Sequence, residues 1–106
     1  MLLTDTDNGK TVHVKVGEII NIQIKENPTT GYRWAVDHTS DNIVLQQSTF
    51  SPSPTQEIGS GGIRIFHFMV KQVGTATASI HLKHWREWEG DASITRRYDI
   101  SFSIQN

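Results

Sequence analysis

Cysteine is absent from these 106 residues. Disulfides, a thiol nucleophile and thiolate metal ligation are excluded together. The absence leaves the compartment open, since a cysteine-free chain folds in oxidising and reducing surroundings alike. Proline is scarce: three residues, confined to two short stretches. An excess of either charge is lacking too. Ten Lys and Arg against eleven Asp and Glu leave a formal net charge of −1 at pH 7. That provides no broad footprint for nucleic acid or an anionic membrane. No apolar run approaches the roughly 18 to 20 residues of a membrane helix. The opening "MLLTDTDNGK" has no basic segment before its two leucines and does not read as a signal peptide. No helical hydrophobic period, internal repeat or heptad pattern is present.

What is there is period two. The length suits one domain, residues 1–106. In "TVHVKVGE", Val12, Val14 and Val16 share a face opposite His13 and Lys15. In "IINIQIK", Ile20, Ile22 and Ile24 oppose Asn21, Gln23 and Lys25. Both read as half-buried antiparallel strands. "YRWAV" is a short strand and "NIVLQQSTF" a less regular one. "SPSPTQEIGSGG" reads as a long loop. "IRIFHFMVK" is apolar on both faces, the mark of a central strand. Val73-Gly74 reads as a turn before a strand of small residues reaching Leu82, and "REWEGDAS" as a loop around Gly90-Asp91. In "ITRRYDISFSI", Ile94, Tyr98, Ile100, Phe102 and Ile104 share one parity, with Arg96 the exception. About seven or eight strands at this spacing predict an all-β, immunoglobulin-like antiparallel sandwich with Greek-key connections.

Catalytic and metal signals are weak. Five histidines are present, but His81 and His84 are three apart and point to opposite faces of a strand. His13, His38 and His67 lie on other segments. No metal or cofactor is expected. Serine and histidine both occur, without a Gly-x-Ser-x-Gly elbow or a sequence reason for a triad to form. The chain does not read as an enzyme.

Three loops carry the remaining information. "NPTTG", residues 27–31, has turn composition but sets two stiff β-branched threonines between Pro28 and Gly31. "GSGG", residues 59–62, lacks the Lys-Ser/Thr and the helix of a phosphate cradle. It reads as a plain hairpin loop or as bare backbone free to lie against a surface. "HWREWEGD" puts Trp85, Arg86 and Trp88 together, residue types enriched at binding hot spots. In an immunoglobulin-like order, the connections B–C, D–E and F–G emerge at one end. If these three segments are those connections, they lie side by side.

In this order of loops the sequence resembles the chagasin-like inhibitors of papain-family cysteine proteases. Asn27, Pro28, Thr29, Thr30, Gly31 and Tyr32 match the family's first binding motif throughout. Gly59, Ser60, Gly61 and Gly62 match its Gly-x-Gly-Gly. Its Arg-Pro-Trp/Phe reads here Arg86, Glu87 and Trp88, with glutamate in place of proline. The resemblance implies a reversible, non-covalent inhibitor whose three loops plug the active-site cleft. The threonines would cover the catalytic cysteine and histidine, and Trp88 would pack on an aromatic wall of the enzyme. The implied partners are papain-like (clan CA) enzymes of the cathepsin L type, met by a monomer, with no nucleic acid or membrane involved. The implied setting is periplasmic, secreted or a protease-containing compartment, with the cytoplasm as alternative. The competing reading is a non-inhibitory binding module that recognises another protein or a glycan through the same loops. Within "NPTTGYRW", residues 27–31 are expected to face the partner. Tyr32 is expected to brace the loop and Trp34 to enter the core.

Overall fold

The computed structural model describes residues 1–52, 61–71 and 76–105. The described residues form eight strands: β1 (Leu2–Thr4), β2 (Thr11–Lys15), β3 (Ile19–Glu26), β4 (Arg33–Thr39), β5 (Ile43–Pro52), β6 (Gly62–Val70), β7 (Thr77–Trp85) and β8 (Arg96–Gln105). They make two four-stranded sheets, ordered β1-β3-β6-β5 and β2-β8-β7-β4. This is the immunoglobulin order BED facing CFG, with β1 added beside β3 and β2 beside β8. The Val73-Gly74 turn lies outside the described residues, as do Gly59 and Ser60.

Alternation explains the core. Ile20, Ile22 and Ile24 of β3 face Tyr98, Ile100 and Phe102 of β8 and Ile80 and Leu82 of β7 across the sandwich, each 2% exposed or less. Phe66, Phe68 and Val70 of β6 join them, and every strand contributes to this one cluster. β6 is flanked on both sides, as its two apolar faces predict. Trp34 is 3% exposed, and its indole N–H donates to the Lys25 carbonyl at 3.1 Å. That bond fastens β4 to β3 across the two sheets.

The sheets are mixed rather than wholly antiparallel. β1 pairs parallel with β3, and β2 parallel with β8. The chain reverses twice between β1 and β3, so the two run the same way. Period two cannot reveal this, because it is the same for both pairings. β1 itself is too short to show a pattern. Other boundaries also move. β5 runs through Pro52 at an edge, so Ser51 and Pro52, read as the start of a loop, belong to a strand. β7 continues to Trp85 beyond Leu82, and β8 begins at Arg96 rather than Ile94. The "REWEGDAS" loop is wound into 3-10 turns over Glu87–Ser93.

Register locates the loops. Glu26 pairs with Gly62 and Pro52 with Gly62, so β3, β5 and β6 share one end of the first sheet. Arg33 pairs with Trp85 and His84 with Arg96, which aligns β4, β7 and β8 at one end of the second. The β3–β4 connection joins these two ends. The connections β3–β4, β5–β6 and β7–β8 therefore leave the sandwich together.

Candidate functional site

The first loop is a single 3-10 turn, Pro28–Thr30. Pro28 stands at its first position, where a missing N–H costs nothing. Asn27 caps it: its Oδ1 accepts from the Thr29 N–H at 3.2 Å and from the Thr29 hydroxyl at 2.7 Å. The Thr30 hydroxyl donates to the Asn27 carbonyl at 3.1 Å. The Gly31 N–H donates to the Pro28 carbonyl at 3.0 Å, and Gly31 leaves the turn at φ 81°. Both threonine hydroxyls thus spend their single proton inside the loop. What they present outward is lone pairs, which suit a donor such as an imidazolium N–H.

The third loop is closed from within by Ser93, which is 8% exposed. Its hydroxyl donates toward the Arg86 and Gly90 carbonyls, at 3.0 and 2.6 Å, and accepts from the Arg86 N–H at 2.9 Å. From outside, Lys83 lies 3.3 Å from Asp91 of the loop and 3.3 Å from Asp37 of β4. Its ammonium sits 3.5 Å from the centroid of the Trp85 ring. Asp37 is the extra residue at a β4 bulge. Burial would raise its pKa, but hydrogen bonds from Lys83 and Arg97 outweigh that and hold it low. Trp85 therefore lies along the sheet, while Trp88 is 68% exposed at the tip.

The loops touch one another. Arg86 donates through Nε to the Thr30 carbonyl at 3.2 Å and holds Glu89 at 3.2 Å. Its guanidinium lies 4.5 Å from the Tyr32 ring centroid. Trp88 lies over Gly31 so closely that a Cβ there would meet the indole at 2.7 Å. Gly61 of the second loop, at φ 71°, lies against the first: a Cβ would meet the Glu26 carbonyl at 2.8 Å. The bare backbone of Gly61 is thus fitted to the neighbouring loop. Gly62 begins β6, and Gly59 and Ser60 lie outside the described residues. Between the first and third loops is a cleft of about 260 Å³, walled by Tyr32, Phe50 and Trp88.

Beneath the loops lies a layer of which the sequence reading singled out only Arg96. Glu26 and Arg64 continue the inward parity of Ile24 and Phe66. They form a two-bond ion pair, Nε to Oε2 at 2.6 Å and Nη2 to Oε1 at 3.2 Å. The Glu26 side chain is fully buried, which the paired geometry of guanidinium and carboxylate permits. His84 and Arg96 continue the inward parity of the second sheet. His84 stacks on Tyr32 at 5.3 Å and lies 5.1 Å from Trp34, and Arg96 lies 5.6 Å from Trp34. The signal was available: charged residues on the apolar parity, close to a strand end.

Elsewhere, Ser79, His81 and Asp99 do come together on the outer face of the second sheet. His81 Nδ1 is 2.7 Å from Asp99, and Nε2 is 3.2 Å from the Ser79 hydroxyl. This resembles a triad in connectivity alone. The Ser79 N–H donates to the Ser40 hydroxyl at 2.9 Å, and β7 is paired on both sides, so the Ser79 amide is not left to stabilise an oxyanion. Among the described residues, no group of three or more His, Asp or Glu side chains is disposed to hold a metal ion.

The site residues of the first and third loops, with Gly61 and Gly62, are thus gathered at one end. The chain is similar to several known proteins. Chagasin of Trypanosoma cruzi is 30% identical over 103 residues, 92% of this chain and 92% of its own length. Amoebiasin-2 of Entamoeba histolytica is 34% identical over 106 residues, 98% of this chain and 85% of its own. The crystal structure of the cysteine protease inhibitor EhICP2 from Entamoeba histolytica matches with a TM-score of 0.79 at 30% identity, covering 98% of this chain and 93% of that one. Residues 13–102 match the chagasin family of peptidase inhibitors, and the chain belongs to that family.

Proposed function

We propose that this protein is a reversible, non-covalent inhibitor that seats its loop end in the active-site cleft of papain-like cysteine proteases. The carrying observation is that the first loop is a pre-formed wedge, locked by its own hydrogen bonds and braced by Arg86 and Trp88. A wedge already in its bound shape loses little entropy on binding. Thr29 and Thr30 stand at its tip and offer acceptor lone pairs to the catalytic histidine. Trp88 has one edge on Gly31 and most of its surface free for an aromatic wall of the enzyme. Gly61 and Gly62, on the other side of the first loop, complete the grip. The three loops bury about 800 Å² per partner if the complex has the usual size. The protein acts as a monomer, in a compartment that holds such proteases, periplasmic or outside the cell.

Titration of papain or cathepsin L with the purified protein tests the reading. Stoichiometric loss of activity is expected, with the protein recovered intact. Persistence of full activity at micromolar protein rejects it for those enzymes. Thr29→Ala combined with Thr30→Ala should weaken inhibition by at least about tenfold, about 1.4 kcal/mol, with little change in Tm. The reverse, a large Tm loss with inhibition intact, makes residues 27–31 a structural corner.

A further inference from the structure

The wedge enters a site built to cut peptides, yet its main chain is laid across that site. We infer that Asn27, Thr30 and Arg86 protect the first loop from hydrolysis by the enzyme it blocks, acting as positioning residues rather than as contacts alone. The inference rests on the inhibitor reading above.

Acyl transfer to a cysteine protease requires a peptide carbonyl oxygen to swing into an oxyanion hole. Three carbonyls of the loop are already engaged inside the protein. Asn27 O accepts the Thr30 hydroxyl at 3.1 Å, Pro28 O accepts the Gly31 N–H at 3.0 Å, and Thr30 O accepts Arg86 Nε at 3.2 Å. Presenting any of them to the enzyme breaks a bond that holds the wedge in shape. Among the described residues the Thr29 carbonyl, at the tip of the turn, accepts no such bond, and the Thr29–Thr30 peptide is accordingly the bond at risk.

Both sides of that bond are tethered. Thr29 is held through its N–H and hydroxyl to Asn27 Oδ1, at 3.2 and 2.7 Å. Thr30 is held through its hydroxyl to the Asn27 carbonyl and through its own carbonyl to Arg86. Suppose the thiolate sulfur adds to the Thr29 carbonyl carbon. The C–N bond breaks, the imidazolium hands its proton to the Thr30 nitrogen, and an acyl-enzyme thioester and a free amine result. For hydrolysis, water must displace the thiol, leaving the Thr29 carboxylate. The tethered amine competes with that water from the position it has just left. Oriented groups of this kind reach effective molarities of about 10⁵–10⁸ M, so re-formation of the peptide outruns hydrolysis.

Three variants read this out: Thr30→Val, which keeps the side-chain shape and removes the hydroxyl, Arg86→Gln, and the two combined. Each is mixed with papain at concentrations well above its own measured Ki, and intact mass and protease activity are followed over a day. The wild type is expected to stay whole and inhibition to persist. The double variant is expected to be nicked between residues 29 and 30, with activity returning as it is consumed. The nick should be absent with papain whose cysteine is alkylated, and Tm should show the variants folded. If all three variants bind, inhibit and remain uncut, or are cut outside residues 27–31, the inference is overturned. The inhibitor reading then stands on the wild-type titration, and falls by itself if the wild type does not inhibit.

Discussion

Gly31 serves two purposes at once. Its φ of 81° is the left-handed conformation that closes the turn, and its missing side chain gives Trp88 a place to lie. Gly31→Ala adds a Cβ 2.7 Å from the indole in a backbone conformation costly for alanine. A stability loss of about 1–2 kcal/mol is expected, read as a Tm drop of about 4–8 °C per kcal/mol. Trp88 must also move, so Ki should rise by at least about tenfold. A Tm loss with unchanged Ki separates Trp88 from the grip. Arg86 changes meaning in the same way. It stands in the motif as a partner contact, but its guanidinium is occupied by Thr30, Tyr32 and Glu89 of its own chain.

The third loop shows how a short segment stays rigid without the proline its family carries. Glu87 opens the 3-10 segment, and Ser93, Lys83 and Asp91 close it from two directions. Arg86 is extended at φ −99°, ψ 114°, a conformation that tolerates a following proline. The first helical position is also where proline fits best. Glu87→Pro should therefore fold and gain about 0.4–1 kcal/mol by restricting the unfolded chain. It should also shift Ki across a panel of papain-like proteases, because a charge beside Trp88 is removed. Identical constants throughout the panel refute a role for Glu87 in affinity or preference.

Across the molecule, the core ends at the loops in a polar layer, Glu26 with Arg64 and His84 with Arg96, rather than in more aliphatic side chains. Burial holds the His84 pKa below its ordinary 6.5, the Arg96 charge lowers it further, and Glu26 opposes weakly. The unfolded chain therefore binds this proton first as pH falls. The stability His84 preserves is complete above pH 6.5 and is lost progressively below it, until the folded imidazole protonates too. Thermal melts from about pH 7.5 to about pH 5 should show a steeper Tm decline for the wild type than for His84→Phe. Parallel curves would mean that protonation of His84 costs the fold nothing.

Alternation along the chain was enough to name the sandwich, its central strand and the burial of Trp34, because the side-chain period of a strand is a local property. The order of three turn-rich segments was enough to name the loop end, since connection parity in such a sandwich follows from chain order. Parallel pairing of β1 and β2 was not legible, as partner direction leaves no trace in a period of two. Nor were the bonds that tie the first loop to the third and brace the strands beneath them. Arg86 meets Thr30 across 56 positions of sequence, and Glu26 meets Arg64 across 38. Ser93 finds its carbonyls only when Gly90 folds the third loop back on itself. Such contacts exist because two sheets converge at one end, and that convergence is a property of the folded chain.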